Sequence, residues 1–326
     1  MRQPDFWWRN TPAARMIGAA LVPLGMLYGA SVSWKHKRNR SYRARVPVIC
    51  VGNLTVGGTG KTPVAIAIAK SLQARELSPV FLLRGYGGKT AAALVVEAES
   101  HDASLVGDEA LLLARVAPTV VSPDRAWGAR IAEALEARVI IMDDGYQNFS
   151  VAKDLSLLVV DAEKGFGNGR IVPAGPLREP VQQGLHRADA VLLMGEGNPD
   201  LHGFAGSVLH ARLVGDARLD GRRVVAFAGI GRPEKFFASL REAGAELVET
   251  HAWPDHHAYS TVEIARLKAR ASEQNAMLIT TEKDFVRLGS GESEGIEVLP
   301  VRVVFDDNAS FERLLEPLLA GISAVK

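Results

Sequence analysis

Lys61 and Thr62 end a glycine-rich run, VGNLTVGGTGKTP at residues 51–63, whose residue types and spacing suit the binding of a polyphosphate. Gly57, Gly58 and Gly60 allow left-handed backbone and a close approach of the main chain to a ligand. Successive amides at the start of a helix then form an anion nest, which the helix dipole reinforces. In such a loop, lined also by Thr55 and Thr59, Lys61 reaches the β- and γ-phosphates and the Thr62 hydroxyl binds Mg²⁺. The pattern G-x-x-x-x-G-K-[ST] is met at Gly60, Lys61 and Thr62 but has Thr55 at its first glycine position, so the approach to the loop must differ in shape. The metal of a nucleoside triphosphate also needs a carboxylate. IIMDDGYQN, residues 140–148, supplies Asp143 and Asp144 at the end of an apolar run. Neighbouring side chains on a strand point to opposite faces, so the two carboxylates are expected to have different roles.

Other chemistry-bearing residues are scattered. GDEA, residues 107–110, opens an apolar helix; Asp108 and Glu109 either complement its N-terminus or act on a ligand. WPDHHAYS, residues 253–260, holds Asp255, His256 and His257. Adjacent histidines converge poorly on one zinc ion, and no third ligand stands at a helical spacing. A histidine that orients or tunes a catalytic carboxylate is the better reading. TTEKD, residues 280–284, ends a strand and turns Lys283 toward any neighbouring cleft. GFGNGRIVPAGPLREP, residues 165–180, is a long, rigidly punctuated loop whose Arg170, Arg178 and Glu179 suit the clamping of an anion. Arg84 in RGYGG and Arg125 in PDR each follow a strand-like run.

These residues need a scaffold that gathers them. From residue 46 onward, apolar runs such as VPVICVG, PVFLLR, ALVVE, PTVVS, RVIIMDD, LSLLVVD and DAVLLMG alternate with helical segments. That alternation predicts a parallel sheet with helices on both faces, with ligands at the C-terminal strand ends. Turn formers near residues 196–206 and the extended VLHARLVGDARLDGRR break the pattern. A second α/β pattern then begins: VVAFAGIG, PEKFFASLREAG, AELVETHAW, STVEIARLKARASEQ, AMLITTEKD, IEVLPVRVVF and SFERLLEPLLAGI. A crevice between two such halves is a natural ligand site.

Composition narrows the classes. The chain has 326 residues, 47% hydrophobic and 23% charged, enough to fill the cores of two units. Its net charge of +1 produces no global field for nucleic acid. Cys50 is the sole cysteine, which excludes an internal disulfide and a cysteine-based metal site. The uncharged run MIGAALVPLGMLYGASVSW, residues 16–34, is just long enough to cross a bilayer. Pro23 and its small residues weaken a spanning helix. Basic residues flank it on both sides: Arg2, Arg9 and Arg15 before, and Lys35, Lys37, Arg38, Arg40, Arg43 and Arg45 after. This suits a helix lying in the interface, with Trp7, Trp8, Tyr28 and Trp34 at headgroup level; a buried helix of the fold is the alternative. A cleaved signal peptide is not expected ahead of a nucleotide motif.

GNLTVGGTGKTP, RGYG, GDE, DDGYQ, GFGNGR, PAGPLREP, PDHH and TEKD, in this order, resemble the tetraacyldisaccharide 4′-kinases, the lipid A 4′-kinases of Gram-negative bacteria. The resemblance runs from about residue 6 to 320, and the Thr at the first glycine position is this family's own spelling. It implies ATP- and Mg²⁺-dependent phosphorylation of the 4′-hydroxyl of a lipid A disaccharide 1-phosphate. The reaction is expected at the cytoplasmic face of the inner membrane, with the N-terminal helix as anchor and no obligate protein partner. It further implies two P-loop-type α/β/α units joined by a β linker. The expected division is 1–45 (membrane-associated helix), 46–205 (kinase unit), 206–223 (linker) and 224–326 (second α/β unit). Residue by residue, Lys61 and Thr62 match the phosphate and Mg²⁺ positions, and Asp143 and Asp144 the acidic pair around the metal. Asp108 and His256 match a catalytic dyad, and Arg84, Arg125, Gln147, Arg178 and Glu179 match further substrate positions. Asn148 departs from the histidine common in relatives and is expected to have no required role. Two other classes share the loop: a nucleotide-driven switch or metallochaperone with no phosphate acceptor, and a soluble small-molecule kinase or ligase. The TEKD segment has the wrong register for a guanine-reading motif, and a soluble enzyme leaves the apolar N-terminus unexplained.

Overall fold

The computed structural model describes residues 3–38, 40–289 and 291–323; Arg2 and the side chains of Trp34, Lys35, Lys37 and Arg38 lie outside the described residues. After a short 3₁₀ turn, the N-terminal apolar run forms α1 (Pro12–Arg38). A first series follows: β1 (Val48–Gly52), α2 (Lys61–Gln73), β2 (Pro79–Leu83), β3 (Leu94–Val95), α3 (Ala103–Val106) and α4 (Asp108–Ala114). It continues through β4 (Thr119–Val121), α5 (Arg125–Ala134), β5 (Val139–Asp143), β6 (Leu155–Asp161), α6 (Val181–His186), β7 (Ala190–Met194) and β8 (Ser207–Gly215). A second series comprises β9 (Arg223–Ala228), α7 (Pro233–Glu242), β10 (Glu246–Ala252), α8 (Thr261–Glu273), β11 (Met277–Thr281), α9 (Glu282–Phe285) and β12 (Ile296–Leu299). The chain closes with β13 (Val301–Phe305) and α10 (Asn308–Ser323).

The strands form two sheets. The larger has nine strands in the order β13-β8-β7-β6-β1-β5-β2-β4-β3, and the smaller four, β10-β9-β11-β12. The smaller sheet is parallel throughout. The larger is parallel except at its two edges, where β3 pairs antiparallel with β4 and β13 with β8. Its central strands are buried on both faces, as their near-continuous apolar sequences require. Alternate residues of β1 serve opposite layers. Ile49 and Val51 pack with α2, α4 and α10, whereas Val48 and Cys50 pack with α5 and α6.

Two elements differ from the sequence expectation. IEVLPVRVVF is not one strand: Pro300 interrupts it, β12 stays with the small sheet, and β13 crosses to the edge of the large one. Proline has no N–H for a ladder, so a strand that contains one divides there. α10 follows β13 and buries Phe311 and Leu315 in the large sheet's core. The expected connector at 206–223 likewise supplies β8, a full member of the large sheet beside β7.

α1 is long and apolar enough to cross a membrane between Pro12 and Val32, and only 22% of its most apolar window is buried by the rest of the chain. Its buried stripe is small: Ala14, Gly18, Gly25 and Gly29 fall on one face. A Cβ at Gly25 would sit 2.8 Å from the carbonyl oxygen of Ile171, so glycine lets the helix backbone lie directly on the loop at 168–175. Met16, Ile17, Leu24, Met26, Leu27 and Tyr28 are exposed elsewhere on the helix. Trp7 is not at the surface: it is buried, and its indole N–H donates to the Pro173 carbonyl at 3.1 Å.

Candidate active site

The glycine-rich loop lies between β1 and α2. Gly57 and Gly60 hold φ of 110° and 88°, a region that strains any residue with a Cβ, whereas Gly58 is not in that region and has open space above it. Thr55 is explained by its surroundings. It bridges antiparallel to Leu177, while Val56 N donates to Pro176 O at 2.8 Å and Arg178 N to Leu54 O at 2.7 Å. The backbone at 54–56 is therefore extended and strand-like, where a β-branched residue suits better than glycine. The same pairing fixes the GPLREP segment beside the loop.

β5 neighbours β1 in the sheet and delivers its acidic tip next to the loop. Thr62 Oγ1 donates to Asp143 Oδ2 at 2.8 Å. Asp143 is 2% exposed, and its Oδ1 has no hydrogen-bond partner. Burial pushes its carboxyl up to about 7, with the charge of Glu109 adding to the effect and Lys61 and Thr62 opposing it. Asp144 turns the other way through a positive φ of 53°. Arg178 grips it bidentately at 2.7 and 3.1 Å, and Lys61 Nζ lies 3.7 Å from it. Burial raises the Asp144 carboxyl, but Lys61 and Arg178 outweigh it and leave it lowered. Gln147 donates to Glu179 Oε1 and to the Asn53 carbonyl, both at 2.9 Å, and Arg187 binds the other oxygen of Glu179 at 2.7 Å. Arg178, Gln147 and Glu179 thus form one network with the acidic turn. Thr59 is buried with its hydroxyl unpartnered.

A second constellation spans the two sheets. Asp108 opens α4 and is 4% exposed. Its Oδ2 lies 3.0 Å from Nδ1 of His256, which comes from the loop after β10. His256 has a positive φ of 61°, a strained conformation held by its N–H on the Gly229 carbonyl at 3.1 Å. His257 faces away, stacked on Trp253 and 3.2 Å from Glu263. Lys283 lies 3.5 Å from Glu109, 3.7 Å from Asp255 and 3.9 Å from Asp108. Arg287 also binds Asp108, through Nε at 2.8 Å and through Nη2. Burial alone would raise the Asp108 carboxyl, but the His256 hydrogen bond and the charges of Lys283 and Arg287 hold it well below the usual range. Nothing in the sequence singles out Arg287; its one signal is a position a helical turn after Asp284 of TEKD.

The remaining expected residues divide. Arg125 is 4% exposed, donates to the Ser122 carbonyl at 2.6 Å and leaves Nε unpartnered. Burial, and with it the nearby charge of Arg84, lowers its pKa to about 10, against the opposing charge of Asp144. Arg84 itself is exposed. Arg170 does not reach the cleft: its guanidinium donates to the Arg15 carbonyl of α1 at 3.2 Å. Asn148 caps its own turn by accepting from Ser150.

A phosphate-cradling loop between β1 and α2, with acid at the tip of the neighbouring strand of a doubly wound sheet, defines a P-loop nucleotide-dependent enzyme. Residues 17–320 match the family model described as tetraacyldisaccharide-1-P 4′-kinase. The chain is 52% identical over 331 residues to the tetraacyldisaccharide 4′-kinase of Paramagnetospirillum magneticum, covering 99% of each chain. It is 47% identical to that of Rhodospirillum rubrum, covering 98% of this chain and 99% of the relative. Among solved structures it resembles one described as the "apo" form of LpxK from Aquifex aeolicus in complex with ATP. The TM-score is 0.77 at 28% identity, covering 92% of this chain and 99% of the other. The chain belongs to the tetraacyldisaccharide-1-P 4′-kinase family.

Proposed function

We infer that the chain transfers the γ-phosphoryl group of ATP to the 4′-hydroxyl of a tetraacylated glucosamine disaccharide 1-phosphate, giving the 1,4′-bisphosphate of lipid A biosynthesis. The observation that carries this reading is the pairing of Asp108 with His256 across the cleft, in a molecule whose loop Thr62 already bonds the strand-tip carboxylate Asp143. Phosphoryl transfer is mostly positioning and charge stabilisation. Lys61 and the loop amides neutralise charge developing on the β- and γ-phosphates. The unpartnered Asp143 Oδ1 beside Thr62 fits a divalent cation. Among the described residues no cluster of three His, Cys, Asp or Glu side chains is ready for a metal, so Mg²⁺ there would complete its shell with phosphate and water. When bound, Mg²⁺ supplies charge neutralisation at the phosphates.

The new bond joins the 4′-oxygen to the γ-phosphorus, and the bond to the β-phosphate oxygen breaks. Asp108, oriented by His256, accepts the hydroxyl proton. In a loose transition state the attacking oxygen gains little bond, so a weak base suffices. Arg84 and Arg125, the latter with its Nε unpartnered, bind a phosphate of the substrate, and Arg178, Gln147 and Glu179 shape the wall beside it. The lipid acceptor holds its acyl chains in the bilayer, at about 0.8 kcal/mol per CH₂. We assign α1, with its exposed apolar residues, to the cytoplasmic face of the inner membrane. We further propose that residues 46–205 and the second unit work as two lobes on the 206–223 connection, the tail from 301 returning to the first.

Incubation with γ-labelled ATP and a lipid A disaccharide 1-phosphate should place label in the lipid. Asp108→Ala and His256→Ala should each lose at least about 100-fold in turnover while still binding nucleotide. Label released only as inorganic phosphate, or two variants with near-native turnover, would overturn the assignment.

A further inference from the structure

Arg287 is a buried cation that the reading above does not use, and it bridges the two lobes. Its side chain is 6% exposed. On the second lobe, Nη1 donates to Asp284 Oδ1 and to the Gly229 carbonyl, both at 2.8 Å. Asp284 is fully buried and otherwise satisfied: it accepts from Gly229 N and the Tyr259 hydroxyl at 3.0 Å and from Thr281 Oγ1 at 2.6 Å. The guanidinium is thus locked in orientation before it meets the first lobe. There Nε and Nη2 converge on one oxygen of Asp108, Oδ2, which His256 Nδ1 also contacts. The Gly229 carbonyl accepts from both His256 N and Arg287 Nη1, so the two second-lobe donors to Asp108 hang from a single point at the end of β9.

We propose that Arg287 is a positioning residue of the phosphoryl transfer: anchored by Asp284 and Gly229, it holds the Asp108 carboxylate by Oδ2 and reserves Oδ1 for the acceptor hydroxyl. The proposal rests on the reading of Asp108 and His256 as the proton-accepting pair. Oδ1 receives only the Glu109 N–H, at 2.9 Å, and keeps acceptor capacity to spare. A planar fork performs this task and an ammonium does not, because only the fork sends two nitrogens to one side and a third to the anchor. The device also makes closure of the lobes a condition of activity, since among the described residues every side-chain donor to Asp108 comes from the second lobe.

The charged groups around Asp108 are His256, Lys283 and Arg287 from the second lobe and Glu109 on its own helix, with Asp255 and Asp284 behind the cations. Removing Arg287 takes away a positive neighbour, so the Asp108 carboxyl rises and the acid limb of activity moves to higher pH.

The test uses the full chain with ATP and the lipid acceptor. Arg287→Met and Arg287→Lys are expected to lose roughly ten- to a hundredfold in kcat, up to the lower end of what a general base contributes, and to bind nucleotide normally. The acid limb of the kcat profile should shift upward in Arg287→Met. Free guanidinium should restore part of the activity of Arg287→Ala. Combined with Asp108→Asn, Arg287→Met should cost little beyond the single Asp108 change, because members of one unit are not additive. Near-native turnover of Arg287→Met sinks the proposal. So does a loss that adds fully to that of Asp108→Asn, with an unmoved acid limb and no rescue; that pattern marks a merely structural bolt. If Asp108→Asn itself stays active, the dyad reading fails instead.

Discussion

Asp143 combines burial, an unpaired oxygen and a raised pKa, so it costs stability in the metal-free chain. Its folded value, pushed up to about 7, lies well above that of an ordinary aspartate. The stability associated with the protonated form is therefore complete below the unfolded value and is lost as pH rises through the folded one. Asp143→Asn stays neutral and can keep the Thr62 contact. Its unfolding free energy without metal should exceed the parent's at pH 8, by on the order of 1–3 kcal/mol and with a higher melting temperature, and the gain should fade toward pH 4.5. The same variant should lose nearly all turnover. A variant no more stable than the parent at pH 8 would falsify the account of Asp143 as a strained, metal-seeking group. Asp144, by contrast, is already paired with Arg178, and the positive φ at that position is what separates the two carboxylates.

Helix α1 is held by backbone proximity more than by interlocking side chains. The buried stripe of Ala14, Gly18, Gly25 and Gly29 leaves no room for larger residues against Ile171 and Ala174. Gly25→Leu should lift the helix from the 168–175 loop. Nucleotide binding should be preserved, turnover on vesicle-borne acceptor should fall several-fold, and proteolysis within 168–175 should accelerate. Unchanged cleavage and turnover would show that the helix and loop are not coupled. Glycines in an apolar helix read from sequence as a weakness for spanning. In the fold they are the contact surface, because only a neighbour at backbone distance reveals their use. The IEVLPVRVVF run makes a similar point: Pro300 was visible, but which sheet would take Val301–Phe305 depended on an unpaired edge at β8.

At the scale of the molecule, two ionic clusters among the described residues join elements of the large sheet to elements of the small one. One is Asp108 with His256, Lys283 and Arg287. The other joins Arg232, at the start of α7, to Asp161 and, at 2.6 Å, to Glu163 beyond β6; Lys235 stands 3.6 Å from Asp161. Asp161 ends β6 on one side of β1, whereas α4 packs on β2 and β4 on the other, so the clusters lie on opposite sides of the phosphate loop. Arg232→Ala removes the Asp161 and Glu163 contacts and leaves the Asp108–His256 contact in place. Amide exchange at 161–165 and 229–235 should speed up several-fold, with a stability cost of about 1 kcal/mol for a half-exposed pair. If exchange in both segments stays at the parent rate, this second cluster does not hold the two sheets' elements together.

Local pattern alone determined the phosphate loop, the acidic strand tip, the alternation of strands and helices and the apolar N-terminal helix. Each depends on neighbours within a few residues, through glycine backbone freedom, side-chain periodicity and the absence of charge. The motif order also carried the family. The resemblance pointed to His256 rather than His257, and the tertiary structure supplied the contact with Asp108; it alone decided that Thr55 sits in an extended pairing with Leu177, and that Arg170 serves α1 while Arg178 serves Asp144. It alone exposed Arg287, which lies 179 residues from Asp108 in the chain. Contacts at such separations depend on how two sheets are set against each other, and residue spacing along a chain does not encode that distance.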